Sequence, residues 1–414
     1  MAEPPPFLAP PFLAYGRQVI EADDLAAVAE ALQSDFITTG PRVPAFEAAF
    51  AEAVGARHGV ACSNGTAALH LAMLTLGVGE GEGDVVIVPA ITFTATANCA
   101  RYVGAEVVFA DVDADTGLMT PQTLDAAIGR LGGRRLRAVL PVHLAGHPAD
   151  LPALARIAQA HGAVLVEDAC HALGTEMDFG GATERGGGER VGDCRHSAMT
   201  CFSFHPVKTL TTGEGGMVTT NDASLAGRLA MLRSHGITRE PDALSAPFAF
   251  DEDGEINPWA YEQQALGFNC RLPDLLCALG LSQLAKLDRF VAVRRRLTAR
   301  YRERMAFLAP LVRLAPQPTY ANSALHLMVA LIDFEAVGAS RRQVMEALRA
   351  KGIGTQVHYI PVHRQPYYQA RYGHFDLPGA EAHYARCLSL PLHAGMGEAD
   401  VDRVVDALEE VVGD

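Results

Sequence analysis

Residues 163–171 read AVLVEDACH, a short apolar run that ends in two carboxylates. Similar apolar runs occur at 58–62, 85–88, 107–110 and 138–142, and helix-like stretches of roughly 10 to 15 residues separate them. This alternation is typical of βαβ units, in which parallel strands are joined by crossover helices. The sequence therefore predicts an α/β fold with a mostly parallel sheet flanked by helices.

The composition of the 414 residues excludes several classes of protein. Hydrophobic residues make up 49% of the chain, which is enough apolar material for a large core and rules out wholesale disorder. Acidic residues outnumber basic ones by 48 to 34, so the formal net charge is −14. A protein this acidic is not expected to bind nucleic acid or an anionic membrane surface.

The cysteine pattern and the hydropathy profile indicate a cytoplasmic location. The eight cysteines include no CxxC pair, and no histidine has a metal-ligand partner at the usual spacing, so no metal site or disulfide framework is predicted. The first residues lack the basic and apolar regions of a signal peptide. No apolar run approaches the length of about 18 residues that a transmembrane helix needs.

The chain is predicted to consist of a lead-in and two domains. Residues 1–16 carry five prolines and are expected to be extended. A large domain is predicted over 17–285 and a smaller C-terminal domain over 286–414, with a helical stretch over about 273–309 between them. Residues 238–258 are polar, acidic and proline-rich, which predicts a long surface loop.

Apolar periodicity predicts individual elements at both ends of the chain. Leu25 and Leu32, with the residues between them, predict a first helix, and Phe46, Phe50 and Val54 predict a second. Near the C-terminus, strands are predicted at 327–332 and 355–359, and helices at 341–351, 378–387 and 398–412.

The first motif with chemical meaning is SNGTAALH at 63–70, where a strand ends and a helix begins. Small residues such as Gly65 and Ala67 let backbone N–H groups approach an anion at the helix N-terminus, and Thr66 adds a hydroxyl. An ordinary capped strand-to-helix turn explains the same residues equally well.

The second motif is the pair of carboxylates that ends the run at 163–166. Ligands of open α/β sheets bind at the carboxyl ends of the strands, so Asp168 is placed to pair with a cationic group, such as the protonated ring nitrogen of a pyridine cofactor. The alternative is that Asp168 caps the helix that follows.

The third motif is CFSFHPVKTLTTGEGG at 201–216, in which a single lysine lies among aromatic and small residues. No other lysine occurs between residues 1 and 207, so Lys208 is not part of a solvated charge run. A desolvated lysine has a lowered pKa and can form a Schiff base, and Ser203 can donate to a phosphate from the same sheet edge. The alternative is a surface lysine in a loop.

These three motifs follow each other as phosphate loop, carboxylate and lysine. Together they predict a site for pyridoxal 5′-phosphate (PLP), held through its phosphate, ring nitrogen and aldehyde.

At this level of detail the chain resembles the DegT family of nucleotide-sugar aminotransferases over about residues 14–410. The resemblance rests on SNGTAALH, PAITFTATANCA, VEDACHALG, SFHPVKTLTTGEGG, RSHG and LGFNCRLPDLLCALGLSQL. It implies a homodimer of fold type I, with a mixed, mostly parallel seven-stranded sheet in the large domain and a smaller α+β C-terminal domain.

The resemblance also implies roles for individual residues. Lys208 would form the Schiff base with PLP and Asp168 would pair with the pyridinium nitrogen. Phe93 would stack on the ring, and His171 would lie near it on the Asp168 side; many family members have Gln at the position of His171. Gly65, Thr66, Ala67 and Ser203 would hold the phosphate, and Asn269 would reach the phosphate of the partner subunit.

Several stretches point to one branch of the family, among them HALG after Asp168, the run from 267 to 290 and GIGTQVHYIPVH. This branch transfers an amino group from L-glutamate to C4 of a UDP-linked 4-keto-6-deoxy-N-acetylhexosamine in pseudaminic acid biosynthesis. Two alternatives stay open. One is a sister enzyme acting on another nucleotide-linked keto sugar, of the perosamine type or at C3. The other is a non-catalytic binding protein, which retention of Lys208 and Asp168 disfavours.

Overall fold

A computed structural model describes residues 12–180 and 188–413. Its α-helices are α1 (Ala22–Gln33), α2 (Arg42–Val54), α3 (Gly65–Thr75), α4 (Thr94–Tyr102), α5 (Pro121–Ile128), α6 (Leu151–Ala160), α7 (Ala223–Leu232), α8 (Asp274–Leu284), α9 (Leu287–Met305), α10 (Phe334–Val337), α11 (Arg341–Ala350), α12 (Pro366–Tyr372), α13 (Pro378–Arg386) and α14 (Glu398–Val412). Its strands are β1 (His58–Cys62), β2 (Asp84–Pro89), β3 (Glu106–Ala110), β4 (Arg135–Val139), β5 (Val164–Asp168), β6 (Glu176–Met177), β7 (Glu189–Arg190), β8 (Met199–Ser203), β9 (Gly216–Thr220), β10 (Ile237–Thr238), β11 (Glu262–Gln263), β12 (Val312–Leu314), β13 (Ala321–Asn322), β14 (Met328–Ile332) and β15 (Cys387–Leu390).

A mixed sheet of seven strands forms the centre of the molecule, in the order β1-β9-β8-β5-β4-β2-β3. Strand β9 runs antiparallel to both of its neighbours, and all other pairs are parallel. The α/β fold with a mostly parallel, seven-stranded sheet is therefore confirmed.

Both faces of this sheet are buried, as crossover connections require. Along the central part of the sheet, Val86, Val88 and Phe109 pack into one hydrophobic cluster, whereas Val85 and Ile87 pack into the other. Because successive strand residues point to opposite faces, these continuous apolar runs indicate a sheet covered by helices on both sides.

The parallel arrangement brings the ends of four strands to one edge. Strands β1, β2, β5 and β8 all run in the same direction, so their carboxyl ends lie together. Strand β9 begins at this edge, because it is antiparallel to β1 and β8. The three motifs singled out in the sequence follow β1, end β5 and follow β8, and they meet here.

The C-terminal part of the chain forms a second layered unit. Strands β12, β14 and β15 make an antiparallel sheet, and residues of α9, α11 and α14 pack on it in a separate hydrophobic cluster. Leu13 joins this cluster and pairs with Ile353. The predicted boundary between 285 and 286 stays a prediction, and residues 1–11 of the predicted lead-in lie outside the described residues.

Two expected elements differ from the structure. The helical stretch over 273–309 is interrupted, because α8 ends at Leu284 and α9 begins at Leu287. The strand predicted at 355–359 is wrong: only Gln356 pairs with a neighbour, exchanging two backbone hydrogen bonds with Ser389. The chain then leaves the sheet, and His358 and Tyr359 line the cavity described below instead of continuing a strand.

Helix α1 forms where predicted, but its apolar face is exposed. Leu25 and Leu32 are 65% and 58% exposed, whereas Asp24 is fully buried. The side chain of Asp24 accepts hydrogen bonds from Ser282 and Gln283 and pairs with Lys286, so polar contacts fix α1 on α8. In contrast, Phe46 and Phe50 of α2 are fully buried, as their spacing predicts.

Candidate active site

A cavity of about 480 Å³ opens at the edge where β1, β2, β5 and β8 end. Its lining includes seven of the residues predicted for the site, which are Ser203 and the set Gly65, Thr66, Phe93, Asp168, His171 and Lys208. Ala67 and Asn269 do not line it. The fold therefore brings together residues that are more than 140 positions apart in the chain.

The N-terminus of α3 supplies an anion-binding end to this cavity. Asn64 caps the helix, and its side chain accepts a hydrogen bond of 2.8 Å from the N–H of Ala67. This contact uses the amide of Ala67. The N–H groups of Gly65 and Thr66 have no acceptor among the described residues, and both residues line the cavity. An anion placed here would meet free N–H donors and the positive end of the helix dipole.

Close packing explains why Gly65 has no side chain. A Cβ at this position would lie 2.8 Å from Cβ of Ser203 and 3.2 Å from Sγ of Cys170. A Cβ on Gly216, the first residue of β9, would lie 2.5 Å from the carbonyl oxygen of Asn64. The glycines therefore hold the helix end against the strand that carries the Ser203 hydroxyl.

Asp168 is the last residue of β5 and is 5% exposed. Its Oδ2 accepts a hydrogen bond of 2.7 Å from the hydroxyl of Thr96, and its Oδ1 accepts one of 3.2 Å from the N–H of Cys170. The helix-cap alternative does not hold, because no α-helix follows β5 directly. The carboxylate instead lines the cavity.

Lys208 lies in the turn after β8, where its backbone N–H donates to the carbonyl of His205. Burial lowers the pKa of its amine, although the nearby thiol of Cys170 and carboxylate of Asp168 act in the opposite direction. Within residues 12–180 and 188–413 its side chain makes no hydrogen bond. A partly desolvated, unbonded amine is available for nucleophilic and proton-transfer chemistry.

His171 is fixed on the cavity wall in its neutral form. The N–H of Ala145 donates to Nδ1 over 3.3 Å, so the ring proton lies on Nε2, which is 3.1 Å from the hydroxyl of Tyr359. Burial holds the pKa of His171 well below its usual value, and the charge of Lys208 adds to the shift. The rings of His171 and Tyr359 are stacked, with centroids 6.1 Å apart.

Phe93 and Asn269 are the two predicted site residues with exposed side chains. Phe93 precedes α4 and is 58% exposed, with its ring centroid 6.1 Å from that of Tyr359. Asn269 is exposed and lies away from its own chain's cavity, although the carbonyl of the next residue, Cys270, accepts a hydrogen bond from Ser63.

Sequence reasoning missed several residues of the cavity wall. Thr92 and Thr96 are buried beside Asp168, and His326 faces His171 with ring centroids 4.5 Å apart. Tyr15, which was expected in an extended lead-in, also lines the cavity. The threonines lie in PAITFTATANCA, and the available signal was their position at the ligand-binding edge, where Thr92 precedes α4 and Thr96 lies in its first turn.

The residues of this cavity fit PLP. The helix end and the Ser203 hydroxyl suit a phosphate, the Asp168 carboxylate suits a protonated pyridine nitrogen, and the Lys208 amine suits an aldehyde. No group of three or more potential metal ligands occurs in the described ranges, and none of their helices is long and apolar enough to cross a membrane.

A sheet of this order, with an amine, a carboxylate and a helix end at one edge, defines the class of PLP-dependent aminotransferases of fold type I. Residues 18–409 match the DegT/DnrJ/EryC1/StrS aminotransferase family, and the chain belongs to that family. It is accordingly a PLP-dependent aminotransferase.

Solved structures of similar proteins cover nearly the whole chain. Helicobacter pylori PseC, an aminotransferase involved in the biosynthesis of pseudoaminic acid, is 28% identical with a TM-score of 0.84, over 97% of this chain and 99% of PseC. DesI, solved in the presence of its TDP-sugar product, is 32% identical with a TM-score of 0.81, over 98% and 94% of the two chains. Spr1654 from Streptococcus pneumoniae, solved in its PLP form, is 26% identical with a TM-score of 0.82, over 97% and 99%.

Proposed function

We propose that this aminotransferase transfers the amino group of L-glutamate to C4 of a UDP-linked 4-keto-6-deoxy-N-acetylhexosamine. The acceptor is UDP-2-acetamido-2,6-dideoxy-β-L-arabino-hex-4-ulose, and the product belongs to pseudaminic acid biosynthesis. The proposed catalysis rests on one observation. The Lys208 amine, which makes no hydrogen bond within the described residues, shares a cavity with Asp168 and with the unbonded N–H groups at the start of α3.

Each catalytic group has a distinct task in this proposal. Bound PLP supplies an electron sink that draws electrons from the α-carbon of the amino donor. Lys208 would hold the cofactor through its aldehyde, and its amine would take a proton from the donor's α-carbon and return it as general base and acid. Its lowered pKa favours this task, because a larger fraction of the amine is neutral near pH 7. The negative charge of Asp168 keeps the cofactor's ring nitrogen protonated.

The binding groups fix the orientation of the cofactor. The free N–H groups of Gly65 and Thr66 and the hydroxyl of Ser203 bind the phosphate. Phe93 covers one ring face and His171 lies on the side of Asp168. Ala67 stays a proposed phosphate-site residue, and in the structure its N–H donates to the side chain of Asn64.

The choice of sugar rests on two kinds of support. The run from 267 to 290 and the sequence VHYIPVH at 357–363 resemble the pseudaminic acid branch, and PseC is similar over almost its full length. DesI, whose product is a TDP-sugar, is similar to a comparable degree. The main rival function is therefore amination of another nucleotide-linked keto sugar.

The two functions are separated by product analysis with purified enzyme, PLP and L-glutamate. UDP-, dTDP- and GDP-linked 4-keto sugars are offered singly and the amino sugar is identified by mass spectrometry and NMR. We expect turnover of the UDP-linked acceptor with the new amine at C4. Exclusive use of a dTDP- or GDP-linked sugar would contradict the proposed acceptor, whereas the assignment as an aminotransferase would stand.

We further propose a homodimer in which Asn269 of each chain serves the phosphate site of its partner. Asn269 is exposed. Large apolar side chains are also exposed on α1, where Leu25 is 65% exposed, and in the segment just before Asn269, where Leu266 is 80% exposed. An amide donor binds a phosphate oxygen without adding charge, which suits a site already served by a helix end.

Complementation tests the shared site. Lys208→Ala and Asn269→Asp chains are each expected to be inactive, because the second places a carboxylate beside phosphate. A mixed dimer has one site with both defects and one with neither. Random pairing therefore gives a ceiling of about one quarter of wild-type activity. No recovery despite verified subunit exchange would show that Asn269 acts within its own chain.

A further inference from the structure

A pair of buried threonines lies directly behind the proposed catalytic carboxylate. Thr96 is fully buried in the first turn of α4, and its hydroxyl is 2.7 Å from Oδ2 of Asp168. Thr92, 2% exposed, precedes the helix, and its hydroxyl is 2.7 Å from that of Thr96. Both threonines line the cavity.

The direction of these hydrogen bonds follows from the number of protons. A hydroxyl has one proton to donate, and Thr96 donates its proton to the carboxylate. Thr92 must then be the donor in the bond between the two hydroxyls. The chain of donation runs from Thr92 to Thr96 to Asp168, and such chains strengthen each of their bonds.

The hydrogen bond from Thr96 matters because of the ionisable groups around Asp168. Lys208, Cys99, Cys170, Cys201 and Tyr359 all interact electrostatically with it. Burial raises the pKa of the three thiols and of Tyr359, so these groups are neutral near pH 7. Of these five groups in the described part of the chain, Lys208 alone can carry a positive charge, and the proposed function assigns its amine to the cofactor. Hydrogen bonds from neutral donors must hold the negative charge.

We propose that Thr96, supported by Thr92, is a positioning residue that holds the Asp168 carboxylate and orients it toward the cofactor's ring nitrogen. Oδ1 is held by the adjacent backbone, a contact that any residue at position 170 except proline can make. Oδ2 is held by a side chain 72 residues away, which ties the carboxylate of β5 to α4. The inference rests on the proposed role of Asp168.

The test uses substitutions that change the hydroxyl and little else. Thr96→Val removes the donor with nearly the same shape, Thr96→Ser keeps the donor, and Thr92→Val removes the supporting bond. Thr75→Val is the matched control, because Thr75 is also a buried helical threonine but its hydroxyl has no hydrogen-bond partner among the described residues. Asp168→Asn shows the effect of losing the carboxylate charge itself.

Two measurements do not depend on turnover. The first is the dissociation constant of PLP, from fluorescence titration of the apoprotein; the second is the pH at which the absorption band of bound PLP shifts. Thr96→Val should weaken PLP binding by about tenfold or more, since hydrogen bonds to charged groups are among the stronger ones. It should also move the spectral transition, whereas Thr96→Ser and Thr75→Val should match the wild type. Thr92→Val should fall between them.

The outcomes separate this inference from the proposed function. If Asp168→Asn alters both measurements and Thr96→Val behaves like Thr75→Val, the positioning role is wrong and the role of Asp168 stands. If Asp168→Asn itself behaves like the wild type, the role of the carboxylate is wrong. Should Thr96→Val not fold, the comparison of Thr92→Val with Thr75→Val decides, because equal PLP binding in these two would overturn the hydroxyl chain.

Discussion

Lys208 is one of three lysines in the chain, and the other two are engaged in ion pairs. Lys286 pairs with Asp23 and Asp24, and Lys351 pairs with Glu410. Only the amine of Lys208 lines the cavity. This distribution makes covalent labelling unusually easy to interpret.

Reduction of the PLP-loaded enzyme with borohydride should attach the cofactor to the peptide that contains Lys208. Lys208→Ala should remove the label and lower kcat by at least about 10²-fold, because the proposed function assigns both covalent binding of the cofactor and proton transfer to this residue. Peptide mapping by mass spectrometry is the measurement. Label on the peptides of Lys286 or Lys351 would contradict the assignment.

Asp168 and Lys208 were predictable because topology alone places them. Both follow runs that read as buried parallel strands, and the ends of such strands share an edge. Thr96 was not predictable in the same way, because its significance depends on one 2.7 Å contact across 72 residues. The hydrogen bond from the Ala67 amide to Asn64 was also not predicted, since a helix start of small residues has the same sequence whether or not its N–H donors are capped.

At the level of elements, the junction between β1 and α3 is the most sensitive feature of the site. Gly65→Ala would place a Cβ 2.8 Å from that of Ser203, so either the helix end or β8 must shift. We expect PLP binding to weaken by about tenfold or more, since the helix end and Ser203 are the proposed phosphate ligands.

Gly227→Ala is the control for this substitution. Gly227 lies within α7, and a Cβ added there meets nothing within 4 Å. Alanine favours the helix over glycine by up to about 1 kcal/mol, so this variant should be as stable as the wild type or more so. PLP titration and thermal unfolding of both variants check the pair. Unchanged PLP affinity in Gly65→Ala would show that the packing tolerates a methyl group.

The sequence predicted the positions of α1 and α2 better than it predicted which of their faces are buried. The spacing of Phe46 and Phe50 predicted α2 and its buried face, since that helix packs within its own chain. Leu25 and Leu32 predicted α1 equally well, yet both side chains are exposed. The spacing of apolar residues predicts that a helix has an apolar face, but the surface that covers this face can belong to another molecule.

At the scale of the whole molecule, buried histidines make stability depend on pH. In the described part of the chain, burial lowers the pKa of His147, His358, His383 and His393 to about 4. The unfolded chain binds protons at these sites below about pH 6.5, and the folded protein does not until about pH 4. The free energy of unfolding should therefore fall as the pH is lowered through this window, by up to about 2 kcal/mol for each histidine at pH 5.

Urea unfolding of the apoprotein at pH 7, 6 and 5 measures this loss. His147→Gln should flatten the pH dependence, since Gln keeps a polar contact to Ser323 but does not titrate. His161→Gln, at an exposed position, should leave it unchanged. Equal stability at pH 7 and pH 5 would contradict the prediction.

The attachment of residues 13–15 to the C-terminal unit has a consequence for the synthesis of the chain. Leu13 exchanges backbone hydrogen bonds with Gly352 and Gly354, and the carbonyl of Tyr15 accepts one from Leu392. Ribosomes add about 5–20 residues per second, so these early residues wait on the order of tens of seconds for their partners to emerge. The wall that Tyr15 contributes to the cavity can be completed only near the end of translation. A nascent chain with a finished central sheet therefore still has an incomplete catalytic pocket.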